Sequence, residues 1–200
     1  MYPIIKRILD IIISGLAIII LSPVFLLLAL LIKLDSKGPI LFKQKRVGKN
    51  KKHFMIYKFR SMYVDAPSDM PTHLLKDPNS MITKIGAFLR KTSLDELPQL
   101  FNIFKGEMAI VGPRPALWNQ YDLISERDKY QANDIRPGLT GWAQINGRDE
   151  LEIEEKSKLD GYYVQHMTLL MDIKCFFGTF ISVIKSDGVV EGGTGQKKDK

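Results

Sequence analysis

The chain has 200 residues, 45% of them apolar and 26% charged, with a formal net charge of +7. That length suits one globular domain with an appendage, and the single cysteine, Cys175, excludes an intramolecular disulfide. The basic balance points to an anionic partner, either nucleic acid, an anionic membrane surface or a phosphorylated substrate. Three scattered histidines (His53, His73, His166) offer no zinc-ligand spacing.

Residues 11–32 carry no charged side chain. About 20 apolar residues suffice to span a bilayer core, so this segment is predicted to enter a membrane. Lys6 and Arg7 precede it, and Lys33, Lys37, Lys43, Lys45, Arg46, Lys49, Lys51 and Lys52 follow it. Lys and Arg favour the cytoplasmic side, and here both flanks carry them. Ser22-Pro23 lies near the middle. Proline removes a backbone donor and kinks a helix, and the serine hydroxyl can bond a carbonyl freed by the break. Two topologies stay open on these grounds: a hairpin returning to the same face, and a kinked helix that crosses.

Residues 40–47 and 54–59 read as strands of a hairpin around the basic loop 48–52, which suits anionic lipid head groups. Lys58 and Arg60 end the second strand. Residues 63–80 hold three prolines and read as a long surface loop. Residues 82–90 resume a helical pattern. Then comes Thr92-Ser93-Leu94-Asp95-Glu96-Leu97-Pro98, two adjacent carboxylates behind Arg90 and Lys91. Ser93-Leu94-Asp95-Glu96 matches a capping box, Ser-x-x-Glu. A helix beginning near Pro98, with the carboxylates on the turn before it, fits equally. In either case a helix N-terminus and nearby cations are expected to lower the carboxylate pKa values. Leu97, Leu100, Phe101 and Phe104 share a helical face that Gly106 can end.

Prolines on both sides of Arg114 make a rigid turn able to hold a guanidinium where a phosphate arrives. Residues 118–131 are predicted helical. Arg136-Pro137-Gly138-Leu139-Thr140-Gly141 leads through Trp142 to Gln144-Ile145-Asn146-Gly147-Arg148, and amides near these glycines suit an anion. Residues 149–163 read as a helix with an acidic start. Residues 169–184 read as an apolar helix for the core or the membrane interface, and residues 188–200 as a disordered tail. The combination with most chemistry in it is Asp95 and Glu96 among arginines and lysines. Hard carboxylates suit Mg²⁺ when a phosphate completes its shell, and a carboxylate can be a nucleophile toward phosphorus.

The run Ser93 to Asn102, Lys105-Gly106-Glu107-Met108, Val111-Gly112-Pro113-Arg114-Pro115, Arg136 to Gly141 and Gln144 to Arg148, with Lys6-Arg7-x-x-Asp10 and Ser22-Pro23, resembles the bacterial sugar transferase family, the small monotopic phosphoglycosyl transferases. The likeness runs from about residue 6 to about residue 188. Leu139 and Ile145 stand where similar sequences often carry Ile and Val. The resemblance implies an enzyme that moves a sugar-1-phosphate from a UDP-sugar to polyprenyl phosphate and releases UMP. Such a step initiates a lipid-linked glycan such as capsule or exopolysaccharide. It implies Asp95 as the nucleophile of a covalent intermediate and Glu96 as the Mg²⁺ ligand. Lys58, Arg90, Arg114, Arg136 and Arg148 become substrate contacts, and Asp172 a late aspartate at the site or in the structure.

It also implies a mostly helical α/β fold. Residues 1–35 would be a re-entrant membrane helix broken at Ser22 and Pro23. Residues 36–188 would be a catalytic domain with a short β-hairpin and interfacial amphipathic helices, on the cytoplasmic face of the bacterial inner membrane beside anionic lipids. Two other readings compete: a membrane-tethered nucleic-acid binder, prompted by the pI, and a scaffold in which the carboxylates only cap a helix. The sugar, the prenol length and homo-oligomer formation are open.

Overall fold

The computed structural model describes residues 2–67, 78–147 and 151–185. His73, Arg148, the acidic start at residue 149, much of the 63–80 loop and the tail from residue 188 lie outside the described residues. The described chain is mostly helical. Two helices open it, α1 (Tyr2–Ile20) and α2 (Ser22–Asp35), bent by 61° at Leu21. Among the described residues no single helix is long and apolar enough to cross a membrane, whereas this bent pair passes the same test together. Pro23 cannot donate to Ile19 four residues earlier. The Ser22 hydroxyl supplies the missing bond, donating to the Ile19 carbonyl at 2.8 Å.

Helix α1 is polar inside and apolar outside. Lys6, Asp10 and Ser14, spaced four apart, are its buried residues, while Ile4, Ile8, Ile12 and Ile19 are exposed. Helix α2 exposes Leu26, Leu30 and Leu34 and buries Leu28 and Ile32. Its C-terminal end is held from outside: the buried Arg60 donates to Ile32 O at 3.4 Å and, just past the helix, to Ser36 O at 2.7 Å and to Lys37 O. Arg60 therefore closes a helix end.

The predicted hairpin is present. β1 (Leu41–Val47) pairs antiparallel with β2 (His53–Phe59), Leu41 opposite Phe59 and Val47 opposite His53. Its basic turn is tied to the protein, with Asn50 N donating to Asn133 O at 2.7 Å and Lys51 3.0 Å from Asp128. Phe54 and Ile56 form one core with Leu100, Ile103 and Met108, and Ala17, Leu21 and Phe25 of the helix pair pack on it.

Helices α3 (Pro78–Met81) and α4 (Lys84–Lys91) lead to α5 (Gln99–Lys105), which ends at Gly106 in the left-handed conformation (φ 92°), as predicted. Asn102 on α5 has no exposed surface. Its side chain accepts from Tyr57 N at 3.0 Å and donates to Met55 O at 2.8 Å, mimicking a strand along β2. Its amide also donates to Glu107 at 2.7 Å. Phe101 and Phe104, expected on the buried face, are half exposed, because Asn102 and Ile103 take the inner side.

A second, parallel ladder joins β3 (Ala109–Val111) to β4 (Gly138–Thr140). It was not predicted, since its strands are three residues long and read as turn sequence. Helix α6 (Tyr121–Asp128) is shorter than the predicted 118–131. α7 (Trp142–Ile145), α8 (Ile153–Gln165) and α9 (Leu169–Lys185) complete the order. α9 buries Met171 and Cys175 and exposes Leu170, Phe177, Phe180 and Ile181.

Replacing Asn102 by Leu strands a buried amide and a buried carbonyl on β2. Each such group costs about 1–3 kcal/mol. Asn102→Leu is expected to lose on the order of 3 kcal/mol in urea unfolding of the micelle-bound protein; a loss below about 1 kcal/mol would contradict the role given to this side chain.

Candidate functional site

Helix α4 ends with Arg90 and Lys91. Ser93 then adopts the left-handed conformation (φ 56°), a costly state for a side chain other than glycine. This reversal starts a single 3₁₀ turn, Leu94–Glu96, and makes no side-chain cap bond. The capping box is therefore absent: it needs the Ser93 side chain on a backbone amide of the first turn, and Ser93 makes no such bond. The alternative start holds, with Pro98 as the cap residue of α5 and the carboxylates on the turn before it. Leu94 and Leu97 anchor that turn on Leu28, Ile32, Phe59 and Leu89.

The two carboxylates have different surroundings. Glu96 Oε1 accepts from Lys58 Nζ at 2.8 Å and from Arg114 Nη2 at 3.0 Å. Burial opposes its ionisation, but Lys58 and Arg114 outweigh burial and hold its carboxyl well below the usual range. Asp95 is 7% exposed and has Lys58 Nζ 3.6 Å from Oδ2. No hydrogen bond to its side chain occurs among the described residues. Burial pushes its pKa up, against the pull of Lys58, and the charge on Glu96 adds to the rise. The expected lowering thus holds for Glu96 and is reversed for Asp95.

Asp95 opens into a cavity of about 310 Å³ together with Lys58, Arg90 and Arg46. Arg114 is set by a buried lattice behind it. Arg127 donates to the Arg114 carbonyl at 2.9 Å and is held by Asp160 at 2.6 Å, the pair almost wholly buried. Arg46 donates to Pro115 O at 2.9 Å.

Of the predicted residues, the fold gathers Asp95, Glu96, Lys58, Arg90 and Arg114. Arg136 is engaged elsewhere, its Nε donating to Gly106 O at 2.8 Å beside Arg7. There it closes the C-terminus of α5, outside the lining of the cavity at Asp95. Asp172 is also used structurally, accepting from Tyr2 and Tyr163 at 2.6 Å and from Lys6 at 2.7 Å. It ties α1, α8 and α9 together, and both its oxygens are engaged. Arg148 lies outside the described residues. Part of the glycine-rich loop is spent on the backbone: Gly138 N donates to Pro113 O, and Thr140 O accepts from Gly112 N. A Cβ at Gly138 would stand 2.1 Å from Gly112 N, and one at Gly141 2.1 Å from Gly112 O. These glycines allow two backbones to touch.

Sequence reasoning missed Gln44 and Arg46. The signal was the period of two in β1: Phe42, Gln44 and Arg46 share a face, and Phe42 sits opposite Lys58. It also missed Asp160 and Arg127, for which local sequence offers no cue. Among the described residues no group of three or more His, Cys, Asp or Glu could hold a metal. Mg²⁺ needs less, because it binds through one or two carboxylates and substrate phosphates. The donor chemistry of Asp95 and Glu96 fits that requirement.

The model of the bacterial sugar transferase family matches residues 1–186. The chain is 42% identical over 184 residues to an undecaprenyl-phosphate glucose phosphotransferase of Komagataeibacter xylinus, covering 87% of this chain and 35% of that one. It is 40% identical over 187 residues to a UDP-glucose:undecaprenyl-phosphate glucose-1-phosphate transferase of Klebsiella pneumoniae, with 87% and 39% covered. An exopolysaccharide production protein of Rhizobium leguminosarum bv. phaseoli is 42% identical over 193 residues, with 90% and 94% covered. The chain thus spans two fifths or less of the first two relatives and nearly all of the third.

A carboxyl with a raised folded pKa holds its proton more tightly folded than unfolded. Its ionisation then costs stability as pH rises above the unfolded value of about 3.9, and costs nothing well below it. In metal-free buffer at pH 8, Asp95→Asn is expected to melt about 2–5 °C above wild type, with the gain vanishing toward pH 4. Glu96→Gln has the opposite sign. Its lowered pKa stabilises the fold above about pH 4.3, so the variant melts lower at pH 8 and converges with wild type in acid. A lower melting point for Asp95→Asn at pH 8 would reverse this assignment.

Proposed function

Because the chain belongs to the bacterial sugar transferase family, we propose that it transfers a sugar-1-phosphate from a UDP-sugar to polyprenyl phosphate, such as undecaprenyl phosphate, to start a lipid-linked glycan. The observation that carries this reading is the division of labour between Asp95 and Glu96. Asp95 faces the cationic cavity without a hydrogen bond, while Glu96 is fixed by Lys58 and Arg114.

In the first half-reaction an Asp95 oxygen attacks the phosphorus that bears the sugar. The bond to the bridging oxygen breaks, and UMP leaves with the electron pair. The product is an acyl-phosphate on Asp95. In the second half-reaction a phosphate oxygen of the lipid attacks the same phosphorus and expels the Asp95 carboxylate. Lys58 and Arg90 face the diphosphate and balance its charge, and Arg114 keeps Glu96 in place beside it. Mg²⁺, held by Glu96 and substrate phosphate oxygens, would neutralise further charge on the diphosphate. Burial keeps the Asp95 carboxylate poorly solvated, which both raises its pKa and favours attack once it is ionised.

The bent helix pair supports a re-entrant element over residues 1–35, entering one leaflet and returning to the cytoplasmic face of the bacterial inner membrane. The inward Lys6 and Asp10 and the outward isoleucines agree with burial in lipid. The exposed apolar residues of α9 suit the same interface, and residues 36–188 form the catalytic domain above it.

Incubation with UDP-sugar radiolabelled in the sugar, without acceptor, is expected to leave label on wild type and none on Asp95→Asn. Label retained on Asp95→Asn would remove this residue as nucleophile. Lys58→Met removes the cation nearest Asp95, so the pH at which labelling is half-maximal should move upward. For topology, Pro3→Cys and Lys52→Cys should both react with an impermeant thiol reagent only from the cytoplasmic side. Labelling of Lys52→Cys from outside alone would exclude the re-entrant path.

A further inference from the structure

The cavity at Asp95 has a lining of two chemical kinds. Asp95, Lys58, Arg90, Arg46 and Arg60 are its charged part; Pro39, Phe42, Tyr63, Val64 and Pro67 are its apolar part. A diphosphate accounts for the first and leaves the second without a role.

Tyr63 is the distinctive residue of that apolar part. Its backbone is tied down, with Tyr63 N donating to Met81 O at 2.9 Å and Met62 bridged to Ile82. The residue is 47% exposed, and no ring contact or hydroxyl partner occurs for it among the described residues. A tethered backbone thus presents an aromatic side chain to the cavity. Phe42, half-buried in the same lining, sits directly opposite Lys58 on one strand face. Gly38 allows close packing here: with φ 129° and no Cβ, it lets Val64 and the Arg60 guanidinium close in, where a Cβ would stand 2.6 Å from Val64 Cγ2.

Resting on the sugar transferase reading, we propose that Phe42 and Tyr63 form the nucleoside subsite, with the uracil ring of the UDP-sugar stacked on Tyr63 and its diphosphate running back to Lys58, Arg90 and Asp95. A flat uncharged base linked to two phosphates matches a cavity whose lining combines aromatic rings with cations. Stacking is strong enough to matter, about 1–3 kcal/mol per base. A hydrocarbon chain matches less well. Gln44, Arg46, Arg60 and Ser61 interrupt the wall, and a prenyl chain lying there would desolvate them without replacing their hydrogen bonds.

The test separates the half-reactions. In Tyr63→Ala the UDP-sugar concentration for half-maximal labelling of Asp95 should rise about tenfold, and the UMP concentration for half-inhibition should rise in parallel. Tyr63→Phe, which keeps the ring, should restore both to within about threefold of wild type. In Tyr63→Trp, UMP should quench fluorescence beyond the quench seen with wild type. This last readout needs no turnover and does not depend on the alanine variant folding. The proposal is overturned if Tyr63→Ala leaves donor dependence unchanged, and equally if it slows only the chase of pre-labelled enzyme by polyprenyl phosphate, which would make this lining the lipid's. A wild-type protein that takes no label at all would instead sink the transferase reading.

Discussion

Asn102 sets the distance on which the site depends. A helix cannot join a β-ladder with its own backbone, since its amides and carbonyls are already used. Asn102 reaches out from α5 and completes the ladder for Tyr57 and Met55. The next residue on β2 is Lys58, and the turn before α5 carries Asp95 and Glu96. The contact that seats the helix therefore also puts the lysine against the carboxylates. Full burial makes the seat strict, because any other separation leaves polar groups without partners in a dry interior.

The two adjacent acids show how far environment can split identical chemistry. Both lie near Lys58 and Arg114, yet only Glu96 receives hydrogen bonds from them. Glu96 is stabilised as an anion and immobilised. Asp95 is buried, poorly solvated and open to the cavity. Like charges side by side reinforce the difference, since an anion fixed at Glu96 makes ionisation of Asp95 harder. The division continues outward from Glu96: Arg114 is held by its carbonyl to Arg127, and Arg127 by Asp160. A buried ion pair thus braces the backbone of the arginine that holds Glu96.

What the sequence made legible was local. Ser22-Pro23 predicted the break and even the serine bond across it, because the loss of a proline donor is a one-residue fact. The hairpin followed from alternation, and Gly106 from the left-handed end of a helix. Long-range matters were not legible. Arg136 looks like a phosphate ligand in one dimension, and Asp172 fits either the site or the framework; in the fold Arg136 closes the end of α5 and Asp172 joins three helices. The 136–141 segment reads as an anion-binding turn because glycines expose amides, but the Gly138 amide is spent on Pro113 O. The capping box failed because Ser93, at positive φ, makes no cap bond, and no pattern of side chains displays that angle. Arg46 and Gln44 were hidden among basic residues, where only the facing of the strand sorts cavity from solvent.

The helix pair and the hairpin share one apolar cluster: Ala17, Leu21 and Phe25 lie on Phe54, Ile56, Leu100 and Ile103. The helix pair is thus part of the interior and cannot be removed without loss. A fragment made by trimming it away would open its own core along that seam. Replacing the pair by an unrelated helix would likewise leave Phe54, Ile56 and Leu100 without the side chains that cover them.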